Sequence, residues 1–269
     1  MNLENIRREL EARGIEAEQV EVVKNGIECI GFRLVTDTNI SPVVYYSGSE
    51  TVESFMVRIE AALKETPTFD LEKLNDREYV MENLYVSVQR ISDDEKQVKR
   101  RMLNAEAILR VQVTFENNTE SGSIRVTQDF LKSLEIPAEE AWAQAMANMR
   151  PVFRVVCMAD LLGVPKEDCE APFYVVTTET GTDGAAALLF RDIFRDFCRR
   201  HETESVVILP SSTQEILLLP EDEFSISYEE LAHMVDEINR AQVDPVIQLD
   251  PVVYRFDLDS DDIEIVAEV

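Results

Sequence analysis

Histidine is nearly missing from this sequence: only His201 and His233 occur in 269 residues, and neither has a second histidine at ligand spacing. A histidine-built zinc site is therefore disfavoured, and any metal centre would have to be assembled mainly from carboxylates. The four cysteines, Cys29, Cys157, Cys169 and Cys198, form no Cys-x-x-Cys pair. That spacing argues against a disulfide framework and a thiolate zinc site, leaving reduced thiols as the simplest reading. Glycine stops altogether after Gly184. No apolar run approaches the ~20 residues needed to span a bilayer, and the chain opens on the polar helical pattern MNLENIRREL, unlike a signal peptide. A cytoplasmic location without membrane contact is expected, and no cofactor is indicated.

Cations are scarce. Lys and Arg number 26 against 53 Asp and Glu, a net charge of −27, and the imbalance is uneven. From residue 201 onward 18 acidic residues face 2 basic ones, a net of −16, whereas the first 200 residues carry 35 and 24, a net of −11. Such a field repels nucleic acid and anionic membrane and favours basic partners. The 45% of apolar residues is enough for a proper core.

The apolar spacing supplies the elements. Leu3, Ile6 and Leu10 mark a short helix ending at Gly14. Asn25-Gly26 between two β-rich runs is a type I′ hairpin signal, because both residues accept positive φ. VVYY (43–46) reads as a third strand, and Val52, Phe55, Met56, Ile59 and Leu63 space a helix over 51–64. Ser92-Asp93-Asp94-Glu95 reads as a capping box opening a helix whose solvated face carries Lys96, Lys99, Arg100 and Arg101. AILRVQVTFENNTESGSIRVTQDFLKSL and APFYVVTTETGTDGAAALLFRDIFRDFCRR both read as hairpin then helix, with Gly184 in the place of Gly122 and AAALLF as a return strand. Helices are also expected over 137–149, with the single Trp142, over 158–162 and over 190–200. In YEELAHMVDEINRAQ, Tyr228, Leu231, Val235 and Ile238 should point inward. With hairpins throughout and no sustained βαβ alternation, the expected class is α+β, mainly antiparallel hairpins packed with amphipathic helices. The expected division is an N-terminal α/β-hairpin region, 1–104, and a C-terminal α+β region, 105–269, with one continuous domain as the alternative.

Several stretches invite a chemical reading. Ser211 and Ser212 follow the run SVVILP, but Pro210 and Thr213 flank them and another apolar run, EILLLP, follows. A serine nucleophile elbow needs glycine on both sides and a turn into a helix, so SSTQ reads as the corner between two strands. Gly181–Gly184 lacks the Gly-Lys-Ser/Thr of a phosphate loop. Arg191, Arg195 and Arg199 line one flank of a helix, where Asp192 and Asp196 can neutralise them. DLDSDDIE (257–264) suggests calcium but lacks the glycine of the hand-shaped loop.

GAA (184–186), LPSSTQEILLLP (209–220), the ELAHMVDEIN helix followed by VDP, and VVYRFD (252–257) together resemble an uncharacterised bacterial domain-of-unknown-function family. That family is found largely in gut Firmicutes, often near mobile elements. The resemblance is clearest over 172–257 and weaker over 80–170. The family's frequent asparagine before GAA is Asp183 here, and its Leu-Ser-Asp is Leu249-Asp250-Pro251. The resemblance implies a bacterial, cytoplasmic setting and transfers no activity.

These readings lead to an interaction or regulatory module that presents an acidic face to a basic protein partner, with a nucleic-acid mimic as the sharper form. The residues expected to build the face are Glu221, Asp222, Glu223, Glu229, Glu230, Asp236, Glu237, Asp257, Asp259, Asp261 and Asp262. The alternative is a carboxylate-based hydrolase or metal-dependent enzyme, which requires Asp and Glu converging in a pocket.

Overall fold

A computed structural model of the chain describes residues 3–66, 68–115, 121–165 and 173–269. It divides into two compact units, Met1–Asn75 with Gln112–Ser123, and Asp76–Val111 with Ile124–Val269. The fold is α+β, with helices packed on antiparallel sheets.

The first unit holds α1 (Leu3–Ala12), β1 (Ala17–Lys24), β2 (Ile27–Leu34), β3 (Val43–Tyr45) and α2 (Val52–Lys64). Asn25 and Gly26 take φ of 49° and 77°, closing the β1–β2 hairpin with Lys24 opposite Ile27. Thr51 caps α2 by accepting from the Ser54 N–H at 3.2 Å. Ile6 and Leu10 of α1 and Phe55, Met56 and Ile59 of α2 meet Phe32, Leu34 and Val44 of the sheet in a closed core. Each such side chain contributes about 1.5–3 kcal/mol on burial.

The second unit begins with α3 (Arg77–Glu82), β4 (Leu84–Arg90) and β5 (Lys99–Met102), while β6 (Ala105–Thr114) and β7 (Ser121–Arg125) span the division, Gln112–Ser123 belonging to the first unit. β6 is central, flanked by β4 and β5, and also pairs with β7. The turn expected between β6 and β7 falls mostly on 116–120, outside the described residues. Residues 92–101 are not the expected helix: 96–98 lead into β5, where Lys99 lies opposite Ile108. Asp94 caps a turn there by accepting from the Lys96 N–H, so the Ser-Asp-Asp-Glu signal marks a bend. α4 (Gln128–Ser133) and α5 (Ala138–Met149) follow.

A six-stranded sheet comes next in the order β13-β12-β10-β11-β9-β8. Its strands are β8 (Phe153–Cys157), β9 (Tyr174–Thr178), β10 (Ser205–Leu209), β11 (Ile216–Pro220), β12 (Val252–Asp257) and β13 (Asp262–Glu268). They are interspersed with α6 (Met158–Leu162), α7 (Arg191–His201) and α8 (Tyr228–Gln242). Side chains alternate across the sheet. Val206, Ile208, Tyr254 and Phe256 face the core that contains Phe194 and Phe197 of α7 and Trp142 of α5. Val207, Leu219 and Val253 face Leu231, Ala232 and Val235 of α8.

AAALLF is not a return strand. Gly184–Leu189 forms a 3-10 turn whose alanines, Ala185 to Ala187, are wholly buried. The second hairpin-helix segment is therefore a strand, a 3-10 turn and a helix. Gly184 is required by close approach: a Cβ there would stand 2.4 Å from the Gln214 carbonyl oxygen and 2.7 Å from Thr177 Cα.

Candidate functional site: an acidic surface around one arginine

In the acid-rich last quarter of the chain, Arg255 gathers three carboxylates, Glu221, Asp257 and Glu264. It lies on β12 opposite Val207 of β10, on the α8 side of the sheet. Its Nε reaches both Glu221 oxygens, at 3.1 and 2.9 Å, and its Nη1 lies 3.2 Å from Asp257 and 3.8 Å from Glu264. Glu221, in the 3-10 turn after β11, also accepts from the Tyr228 hydroxyl at the start of α8 and the Ser205 hydroxyl of β10. One half-buried guanidinium thus holds the end of the sheet, the 221–223 turn and the α8 N-terminus together. Burial opposes the charge of Arg255, but the hydrogen bonds and charges of Glu221 and Asp257 outweigh it and raise its pKa. Asp257 is lowered, first by the Ser260 backbone N–H at 3.0 Å and also by Arg255.

The eleven expected residues fall into different environments. Glu221 and Asp257 meet at Arg255. Asp222 accepts from the Thr203 hydroxyl at 3.1 Å. Glu230 completes a capping box with Ser227, whose backbone N–H lowers its pKa first. Asp236 pairs with Arg240 one turn on, at 2.8 Å. Asp261 of the β12–β13 turn and Asp262, the first residue of β13, are drawn to α7, pairing with Arg195 at 2.8 Å and Arg191 at 2.6 Å. Glu223, Glu229, Glu237 and Asp259 are exposed and make no ion pair with a described residue. Glu230 and Glu237, seven residues apart, share one line of the α8 surface. The inward face of α8 uses Asn239 where Ile238 was expected; Ile238 is 44% exposed, and Gln248 Nε2 donates to the Asn239 carbonyl.

The rival sites take structural roles. Ser212 is buried, and its hydroxyl accepts from the Gln214 N–H at 3.1 Å, while Ser211 reaches only Glu215, at 3.5 Å. No histidine is a hydrogen-bond partner of either, and the segment joins β10 to β11 as a corner. His201 packs against the rings of Tyr174 and Phe197, 4.5 and 4.3 Å between centroids. After Gly181, the Gly184 and Ala185 N–H groups donate to the Gln214 and Thr213 carbonyls, so the N–H groups a phosphate would need are engaged. Asp183, left-handed at φ 56°, is pushed up in pKa by burial, only partly offset by hydrogen bonds from Ser87 and Thr182 and the charge of Arg110. The α7 arginines are neutralised chiefly by Asp261 and Asp262, since Arg150 takes Asp192 of the helix. Among the described residues no three His, Cys, Asp or Glu side chains converge as metal ligands, and no helix is long and apolar enough to cross a membrane.

Compared with known families, residues 3–258 match a family of unknown function, DUF5688, from the start of α1 through β12. The chain belongs to the DUF5688 family. No curated protein and no solved structure matches it. In this DUF5688 chain the residue that sequence reasoning passed over is Arg255. Its signal was present: it is one of two cations after residue 200, placed between apolar strand residues in VVYRFD.

Proposed function

We propose that the chain is an interaction module whose acidic surface over residues 201–269 takes a basic protein partner. The observation that carries this is the exhaustion of local cations. Both basic residues of the stretch, Arg240 and Arg255, are already in ion pairs. Seven of its eighteen acids, Glu221, Asp236, Asp250, Asp257, Asp261, Asp262 and Glu264, have arginine partners. The other eleven have no ion pair with a described residue. An uncompensated set of this size attracts a cationic partner by field and accelerates encounter. The pairing of Asp257, Asp261 and Asp262 into separate clusters favours general charge complementarity over a regular array spaced like duplex phosphates.

The test is binding of a lysine-rich peptide, followed by fluorescence anisotropy over a range of salt. The variant Glu223→Gln, Glu229→Gln, Glu237→Gln, Asp259→Asn removes four unpaired charges. Its control is Glu4→Gln, Glu11→Gln, Glu21→Gln, Glu28→Gln, four exposed acids of the first unit. The reading expects tighter binding at low salt and a severalfold loss confined to the first variant. Equal loss in both variants would reduce the effect to net charge and defeat the proposal.

A further inference from the structure

We propose that a cavity between α7 and the edge strand β8 binds a small carboxylate with a compact apolar body, about the size of one aromatic ring. The cavity has a volume of about 160 Å³. Its walls are Phe153 and Val155 of β8 and Ile193 and Phe197 of α7, and Arg150, Asp196 and Arg200 complete its lining. Phe153 and Val155 are two apart on an outer strand, so they share a face.

The space stays open because the rings that could fill it are held elsewhere. Phe153 leans on Phe190, 5.0 Å between centroids, and Phe197 packs against Tyr174 at 5.1 Å and His201 at 4.3 Å. The cavity is open to solvent on one side, and Phe153, Val155, Ile193 and Phe197 give the apolar body of an occupant a wall to pack on.

The polar residues select its head group. Arg150 bonds Asp192 through Nε and lies 3.9 Å from Asp196, which is also 3.9 Å from Arg199. The lining itself carries two guanidiniums, Arg150 and Arg200, against one carboxylate, Asp196, in a chain of net charge −27. Arg200 is exposed, and its side chain has no ion pair or hydrogen bond with a described residue. Asp196 already shares its charge with two arginines, so the open partner for an incoming head group is Arg200, whose planar fork matches a carboxylate.

The test is an amide-resonance titration of the whole chain with phenylacetate, phenylacetamide and phenethylamine. Phenylacetate should shift Phe153 to Val155 and Ile193 to Arg200 and saturate. The neutral and cationic probes should bind about tenfold more weakly or worse. Arg200→Gln, at an exposed position, should lower phenylacetate affinity by a similar factor with the fold intact. Val155→Trp should fill the space and abolish binding; if that variant unfolds, Arg200→Gln decides alone. Equal response to the acid and the amide, absence of saturable shifts, or unchanged affinity in Arg200→Gln overturns the proposal.

Discussion

Two neighbouring residues where the 3-10 turn begins set opposite expectations. Gly184 admits no side chain, because the nearest atoms are backbone atoms of Thr177, Val176 and Gln214 and cannot swing aside. Gly184→Ala should cost at least about 1–3 kcal/mol, the usual range for overpacking, read from urea midpoints. Asp183 should behave the other way. Burial raises its pKa, so the folded chain holds this proton more tightly than the unfolded chain. Its contribution to stability is therefore present at acid pH and lost as pH rises through the folded value. Asp183→Asn keeps the shape and the tolerance of positive φ without the charge. It should stabilise the protein near neutral pH, with the gain shrinking towards the acid range. A gain that is the same at all pH values would refute this account of the carboxyl.

Among the elements, Arg255 joins α8 to the sheet through Glu221 and Tyr228. Arg255→Leu would leave Glu221, Asp257 and Glu264 together without a cation. Because the group is partly exposed, a loss of about 1–3 kcal/mol is expected rather than the larger cost of a fully buried pair. Amide exchange should rise first in the opening turn of α8. Unchanged protection there would show that the apolar contacts of Leu231 and Val235 hold the helix alone. Legibility in the sequence follows the range of the deciding interaction. Asn25-Gly26 and the helix expected over 190–200 are local signals, and each formed as expected. Residues 92–101 carried an equally good local signal for a helix, but pairing of β5 with β6 overrode it. AAALLF was misread because its small side chains are buried, and Thr213 and Gln214, whose carbonyls accept from the Ala185 and Gly184 N–H groups, are some thirty residues away. The acidic composition of the surface was legible, but the arginine each carboxylate would find was not. Asp261 and Asp262 meet α7 only through the tertiary fold.

For the whole molecule, a net charge of −27 means that self-repulsion competes with the ion pairs. Salt screens both, but it acts most completely on charges further apart than the Debye length, which falls from about 30 Å at 0.01 M to about 8 Å at 0.15 M. The unpaired carboxylates are the larger class after residue 200, so moderate salt should raise the thermal midpoint. A fall would mean that the arginine pairs dominate. The central claim is that these unpaired carboxylates form the face a basic partner meets. Its most direct measurement is an amide footprint of a bound lysine-rich peptide at low salt. The account predicts perturbations concentrated over 221–237 and 257–264, including Glu223, Glu229, Glu237 and Asp259, and fading as salt is added. Perturbations spread evenly over both units, or centred on the first, would contradict it.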